Sequence, residues 1–201
     1  MKKIAIAAAM ILLAVSACKK EEKEVVLEEL SVEEQDDLTF LIQEEKLARD
    51  VYIYAFDKHG DAIFNNISSS EQKHMDKVEE LLIKYSIPNP NEGNDEGVFE
   101  NIELQTLYDN LIVLVDSSLV EALKVGATIE DLDIHDINTL MTHTSIYDLT
   151  FVYENLSCGS RNHMRSFVSK LDELEALYTP QYISAEDYEA ILASETEKCG
   201  K

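Results

Sequence analysis

Glu71-Gln72-Lys73-His74 sets a carboxylate and an imidazole three residues apart. On a helix that step puts both side chains on one face, a turn apart, where they can reach one ion. Glu130-Asp131-Leu132-Asp133 offers the same step with two acids, while Glu45 and His163 are single ligand-type residues in separate segments. A set rich in oxygen with two nitrogens suits one or two iron or manganese ions better than a structural zinc site built of Cys. The same residues admit a plainer reading. Glu45 and Glu71 can pair with Arg49, Arg161 or Arg165 in a buried ionic network that fixes helix register. His74 and His163 are then core histidines satisfied by those acids, and Asp133 belongs to an exposed acidic face.

Helices must position these groups, because apolar residues recur at steps of three and four through long segments, and sustained alternation is hard to find. Ser31 with Glu34 forms a capping-box pattern, and Leu38, Leu41, Glu45, Ala48, Tyr52 and Ala55 share one stripe, so a first helix is expected to run to about Lys58 before Gly60. A second helix is expected to start at Ser68, Ser69 or Ser70, with Glu71, His74, Val78, Leu81 and Tyr85 aligned before Pro88. Asn89 to Gly97 reads as a loop, followed by a short helix around Ile102 to Leu114. Ser117 or Ser118 can cap the next long helix, whose stripe is Leu119, Ala122, Gly126, Glu130, Asp133, Ile137 and Leu140. A further long helix from Thr144 or Ser145 to about Leu174 aligns Leu149, Val152, Leu156, Ser160, His163, Phe167 and Leu171. Ser184 caps a short last helix through Leu192. Every main helix therefore carries polar groups on its inner stripe. Unpaired buried carboxylates are costly, and a cation between the helices offsets that cost.

Composition narrows the function classes. With 17 Lys+Arg against 40 Asp+Glu, the net charge of −23 repels a phosphate backbone, which argues against nucleic-acid binding. Met1-Lys2-Lys3 and the apolar run Ile4 to Val15 read as a secretory signal, too short for a stable membrane span. Residues 1–17 hold two Lys and no acid, so their removal takes the charge from −23 to −25. The charged stretch from Lys19 suits a solvated tether over residues 18–30, leaving 31–201 as one bundle domain. Cys158 and Cys199 can form a disulfide in an oxidising exported setting. No Cys pair has zinc-ligand spacing, and no phosphate loop or acyl-transfer triad stands out.

Four resemblances extend this reading. Val15-Ser16-Ala17-Cys18 resembles the lipobox of bacterial lipoproteins, which implies cleavage before Cys18, lipidation there, and a membrane partner through the lipid anchor. Cys18 followed by Lys and acids is similar to the export signal of Bacteroidetes surface lipoproteins, which implies an outer-membrane or cell-surface location. One Glu on the first helix, Glu-x-x-His on the second, two acids on the third and His on the fourth resembles the ferritin-like superfamily, particularly its rubrerythrin-type members. The segments Glu44 to Tyr52, Gly159 to Arg165 and Tyr178 to Ser184 are similar to the ferritin-like domain-of-unknown-function 2202 family of bacteria and archaea. The expected fold is thus all-α, a ferritin-like four-helix bundle with a short helix in its long central connection and a short C-terminal helix.

That resemblance implies a dinuclear site lined by Glu45, Glu71, His74, Glu130, Asp133 and His163, with Tyr52, Ser160 and Arg161 beside it. One position departs: Ser160 stands where the rubrerythrin-like pattern has a second bridging Glu, which leaves one ion, an asymmetric pair completed by water, or no ion. Two functions follow as expectations. One is an exported metalloprotein with ferroxidase, peroxidase or oxidase chemistry; the other is a metal-free helical envelope lipoprotein acting as a scaffold.

Overall fold

The computed structural model describes residues 28–200. The expected signal, the lipidation site Cys18 and most of the tether lie outside the described residues. Within them the chain is helical, with no strand.

Helix α1 (Val32–His59) begins with the expected capping box, in which Ser31 Oγ accepts from the Glu34 N–H and Glu34 Oε2 accepts from the Ser31 N–H at 2.8 Å. It stops at Gly60, whose φ of 70° is the left-handed conformation that a Cβ disfavours. Leu30, inside the expected tether, is already buried against the bundle. Helix α2 (Ala62–Lys84) starts earlier than the serine run predicts. Asp61 caps it by accepting from the Ile63 N–H at 3.1 Å, and Phe64 and Ile67 need core positions. Ser68 and Ser69 instead donate back to the Asn65 carbonyl from inside the helix, at 3.0 and 2.8 Å.

Helix α3 (Ile102–Ser117) and helix α4 (Leu119–His143) meet at Ser118, which caps α4 by accepting from the Glu121 N–H at 3.1 Å. Helix α5 (Tyr147–Glu173) starts after the expected caps, with Ile146 at its N-cap and no side-chain cap bond. Thr144 accepts from the Ile146 N–H at 3.0 Å and donates to Glu34 Oε1 at 2.6 Å, tying this end to the start of α1. Ser184 caps the short α6 (Ala185–Ala193) as expected.

Short links make α1 antiparallel to α2 and α4 antiparallel to α5. The two hairpins close on each other through α1 against α4 and α2 against α5, and α3 covers α1 and α4. The connection between α2 and α3 is pinned to α1 by a buried ion pair. Lys46 Nζ lies 2.5 Å from Asp50, donates to the Asp95 carbonyl at 2.8 Å and sits over the Phe99 ring; Asp50 also accepts from the Gly97 N–H.

The apolar stripes form two separate cores. One contains Leu41, Val78, Ile137 and Leu156; the other contains Tyr52, Phe64, Ala127 and Phe167. Each large side chain so buried stabilises the fold by about 1.5–3 kcal/mol. Along every long helix the polar interruptions fall between these two cores, so the bundle holds one polar layer across its middle. No described helix is long and apolar enough to cross a membrane.

Candidate metal centre

Each long helix delivers ligand-type side chains to this layer because its polar positions share the periodicity of its apolar stripe. Glu45 comes from α1, Glu71 and His74 from α2, Glu130 and Asp133 from α4, and Ser160 and His163 from α5. All are buried; Glu45, Glu71 and Glu130 are each 1% exposed.

Glu71 is the centre of the arrangement. Its Oε2 lies 2.7 Å from His74 Nδ1, and its Oε1 lies 2.8 Å from His163 Nδ1. Glu45 Oε2 approaches His74 Nδ1 at 3.1 Å, and Glu130 Oε2 approaches His163 Nδ1 at 3.4 Å. Two triads of side chains that could each hold a metal ion result, Glu45–Glu71–His74 and Glu71–Glu130–His163, sharing Glu71. The two imidazoles stack with centroids 5.6 Å apart.

These groups are poorly satisfied by one another. Glu45 Oε1, Glu71 Oε1 and His163 Nδ1 are buried with no hydrogen-bond partner, although the last two face each other at close range. A nitrogen and an oxygen that converge without an aligned N–H are disposed toward a shared cation. The arginines take no part. Arg49 binds Asp50 and Gln72, and Arg161 and Arg165 bind Glu197. Among the described residues no Lys or Arg pairs with Glu45, Glu71, Glu130 or Asp133.

The electrostatics record the crowding of acids. Burial pushes the Glu45 pKa up to about 7, against the attraction of His74. Burial acts on Glu71 in the same direction, yet the two imidazoles outweigh it and hold this carboxyl well below the usual range. Burial lowers the His163 pKa, but Glu71 and Glu130 prevail and push it up to about 10; burial likewise lowers that of His74, but Glu71 and Glu45 raise it well above its ordinary value. Burial and then Glu45, Glu130 and Glu71 raise Asp133 well above its ordinary value.

Neighbouring residues orient these side chains. Tyr52, expected near the site, donates from its hydroxyl to Glu130 Oε1 at 2.5 Å. Ser160 donates to Asp133 Oδ2, which lies in the layer but outside both triads. Arg161 turns away from the site toward Ser157 and Glu197. Asp131, between the two layer acids, accepts from the Gln181, Tyr182 and Ile183 N–H groups and the Tyr178 hydroxyl, anchoring the segment before α6.

Three further residues contribute to the layer, and two of them, Gly159 and Glu44, have no clear signal in the sequence. Ser70 Oγ lies 3.1 Å from His163 Nε2 and fixes the ring whose Nδ1 faces the acids. Gly159 makes room for His74, since a Cβ there would stand 2.5 Å from His74 Nε2. Glu44 is buried with Oε2 unpartnered, and burial with Asp136 and Asp133 raises its pKa well above the usual value. Only the serine before the Glu-x-x-His step was foreseeable, as one helical turn before His74 on the same helix.

Cys158 and Cys199 are disulfide-bonded, with Cα atoms 5.7 Å apart. The bond straps the C-terminal segment onto α5 just outside the layer. Glu197 bridges Arg161 and Arg165, and its N–H donates to Asn162 Oδ1 at 2.9 Å.

Among proteins of known sequence, the uncharacterized protein MJ0754 of Methanocaldococcus jannaschii is 52% identical over 169 residues, which cover 84% of this chain and 91% of that protein. The crystal structure of hypothetical protein MJ0754 from Methanococcus jannaschii superposes with a TM-score of 0.84 at 51% identity, covering 86% of this chain and 99% of that one. Residues 34–195 match the uncharacterized protein domain DUF2202. With its all-helical bundle and this match across most of its length, the chain belongs to the DUF2202 family.

Proposed function

We propose that this protein is an exported, lipid-anchored, ferritin-like metalloprotein that binds one or two iron or manganese ions in the polar layer and uses them in redox chemistry, as a ferroxidase, peroxidase or oxidase. The observation that carries the reading is Glu71, whose two oxygens face two histidine nitrogens while Glu71 Oε1 and His163 Nδ1 have no hydrogen-bond partner. Glu45 and His74 would hold an ion on one side, Glu130 and His163 on the other, with Glu71 between them. With neutral imidazoles, the four carboxylates Glu45, Glu71, Glu130 and Asp133 match the charge of two dications, so metal offsets the repulsion the bundle otherwise buries. The plainer ionic network loses support because its arginines are engaged elsewhere.

Bound iron or manganese would supply one-electron chemistry toward dioxygen or peroxide. The chain's own contribution is to bury these side chains between two apolar cores. Tyr52 and Ser160 hold Glu130 and Asp133 by hydrogen bonds, and Ser70 holds the His163 ring. The lipobox-like Val15 to Cys18 supports export and anchoring, and the disulfide suits an oxidising compartment.

The test is elemental analysis of the chain from residue 18 with Cys18→Ser, incubated with Fe(II) or Mn(II), beside a Glu71→Ala/His74→Ala double variant. One or two metals per chain, lost in the variant, is the expected result. No metal above background in a folded protein would overturn the reading and leave a metal-free envelope scaffold.

A further inference from the structure

A cleft of about 650 Å³ runs along the outer groove between α2 and α5. It falls within the range of about 300–1,000 Å³ usual for small-molecule sites. From Ser70 to Lys84 its α2 wall extends about 21 Å at the helical rise of 1.5 Å per residue. Leu81, Val152 and Leu156 form an apolar floor, which the exposed Phe151 ring extends. The inner end is closed by His74 of the polar layer, and the disulfide-held Cys199 and Gly200 form part of the rim.

The charge along this cleft runs against that of the protein. Lys73, Lys77 and Lys84 line one face of α2, in a chain with 17 basic and 40 acidic residues. Lys77 pairs with Glu80 and Lys84 with Asp148, both also on the rim. Lys73 has no carboxylate partner among the described residues and stands one position before His74. The inner end thus offers one uncommitted ammonium above an apolar trough. Lys is a point charge rather than a fork, which suits a single anionic head. An overall field that repels anions makes this local cation selective for molecules that also bury an apolar chain.

We propose that this cleft is a binding site for a single-chain amphipathic carboxylate of the fatty-acid type. Its carboxylate sits at Lys73, and its chain lies along Leu81, Val152, Leu156 and Phe151. This site needs no ion in the polar layer, although it brings the carboxylate head up to the His74 wall.

All six helices and both cores lie within residues 28–200, so the unlipidated chain from residue 18 with Cys18→Ser is a suitable sample. Calorimetric titration with decanoate, decanol and decyltrimethylammonium tests the site. One decanoate per chain is expected, bound at least tenfold more tightly than decanol, with no measurable binding of the cation. Lys73→Glu, a change at an exposed position, should weaken decanoate binding at least tenfold, and Phe151→Asp should weaken decanoate and decanol alike. Equal affinity for decanol and decanoate, no decanoate binding, or an unchanged affinity in Lys73→Glu overturns the proposal. Metal content is read on the same wild-type sample. Metal uptake without decanoate binding sinks the cleft alone, and decanoate binding without metal uptake sinks the metal reading alone.

Discussion

The Ser160 hydroxyl donates to the Asp133 carboxylate across the α4–α5 interface, in the middle of the polar layer. Asp133 is 8% exposed and has Glu45, Glu130 and Glu71 acting on it, so this bond is its one stabilising side-chain contact among the described residues. Ser160→Ala should leave a buried acceptor short of a partner and cost about 1–3 kcal/mol. Denaturant unfolding measures it; stability equal to that of the parent would mean that Asp133 does not depend on Ser160.

Tyr52→Phe removes the hydroxyl that holds Glu130 and keeps the ring against Phe167, 5.3 Å between centroids. If Glu130 ligates metal, losing this support should weaken Fe(II) or Mn(II) affinity by about tenfold or more, the usual effect of deleting a ligand's outer partner. Competition against a chelator gives the number. An unchanged affinity would show that Tyr52 serves packing alone.

Gly159→Ala places a methyl group where the His74 ring lies, 2.5 Å from Nε2. The ring must move, because the facing atom belongs to a buried side chain with little room to yield. The expected outcome is a loss of about 1–3 kcal/mol of stability, as in other overpacked interiors, and, if His74 ligates metal, a lower metal content than the parent. A variant that keeps both would show that His74 can occupy a second rotamer without consequence.

Reduction of Cys158–Cys199, or Cys199→Ser, opens a loop of 41 residues. Chain-entropy arguments assign such a loop about 4 kcal/mol, less any native strain released. The strap is also held by Glu197, so local opening should precede global unfolding. Hydrogen exchange should rise first at residues 194–200, and the unfolding midpoint should fall; if neither changes on reduction, the bond adds nothing to the strap.

Glu197 gives a pH signature. Its hydrogen bond to Arg161, helped by Arg165, holds its pKa down at about 2 in place of the usual 4.5. A lowered carboxyl contributes stability above its unfolded value and loses it as pH falls through the folded value. The strap should therefore loosen between about pH 4.5 and pH 2, while the disulfide still tethers it. A carboxyl titration by NMR with a midpoint near the ordinary value, or protection of the strap that is flat across this window, would count against the Arg161 and Arg165 clamp.

The periodicity of the sequence determined the helices and the faces they bury. Glu45, Glu71, Glu130 and His163 read as interruptions of apolar stripes, and all four lie buried between the two cores because a helix keeps one face inward along its whole length. Ser31 and Ser184 also announced their caps, since capping depends on residues only a few positions apart. The start of α2 lies before the serine run, because a run of serines resembles a cap whether or not a helix already contains it, whereas the Asp61 cap and the burial of Phe64 set the true start. Partner choice among charges belongs to the tertiary structure. Only the packing of four helices could show that Arg161 and Arg165 face Glu197 and leave the layer acids to the histidines. The space that Gly159 leaves for His74, and the bond from Ser160 to Asp133, likewise join residues distant in sequence, and distances between such atoms are fixed by packing and not by spacing along the chain.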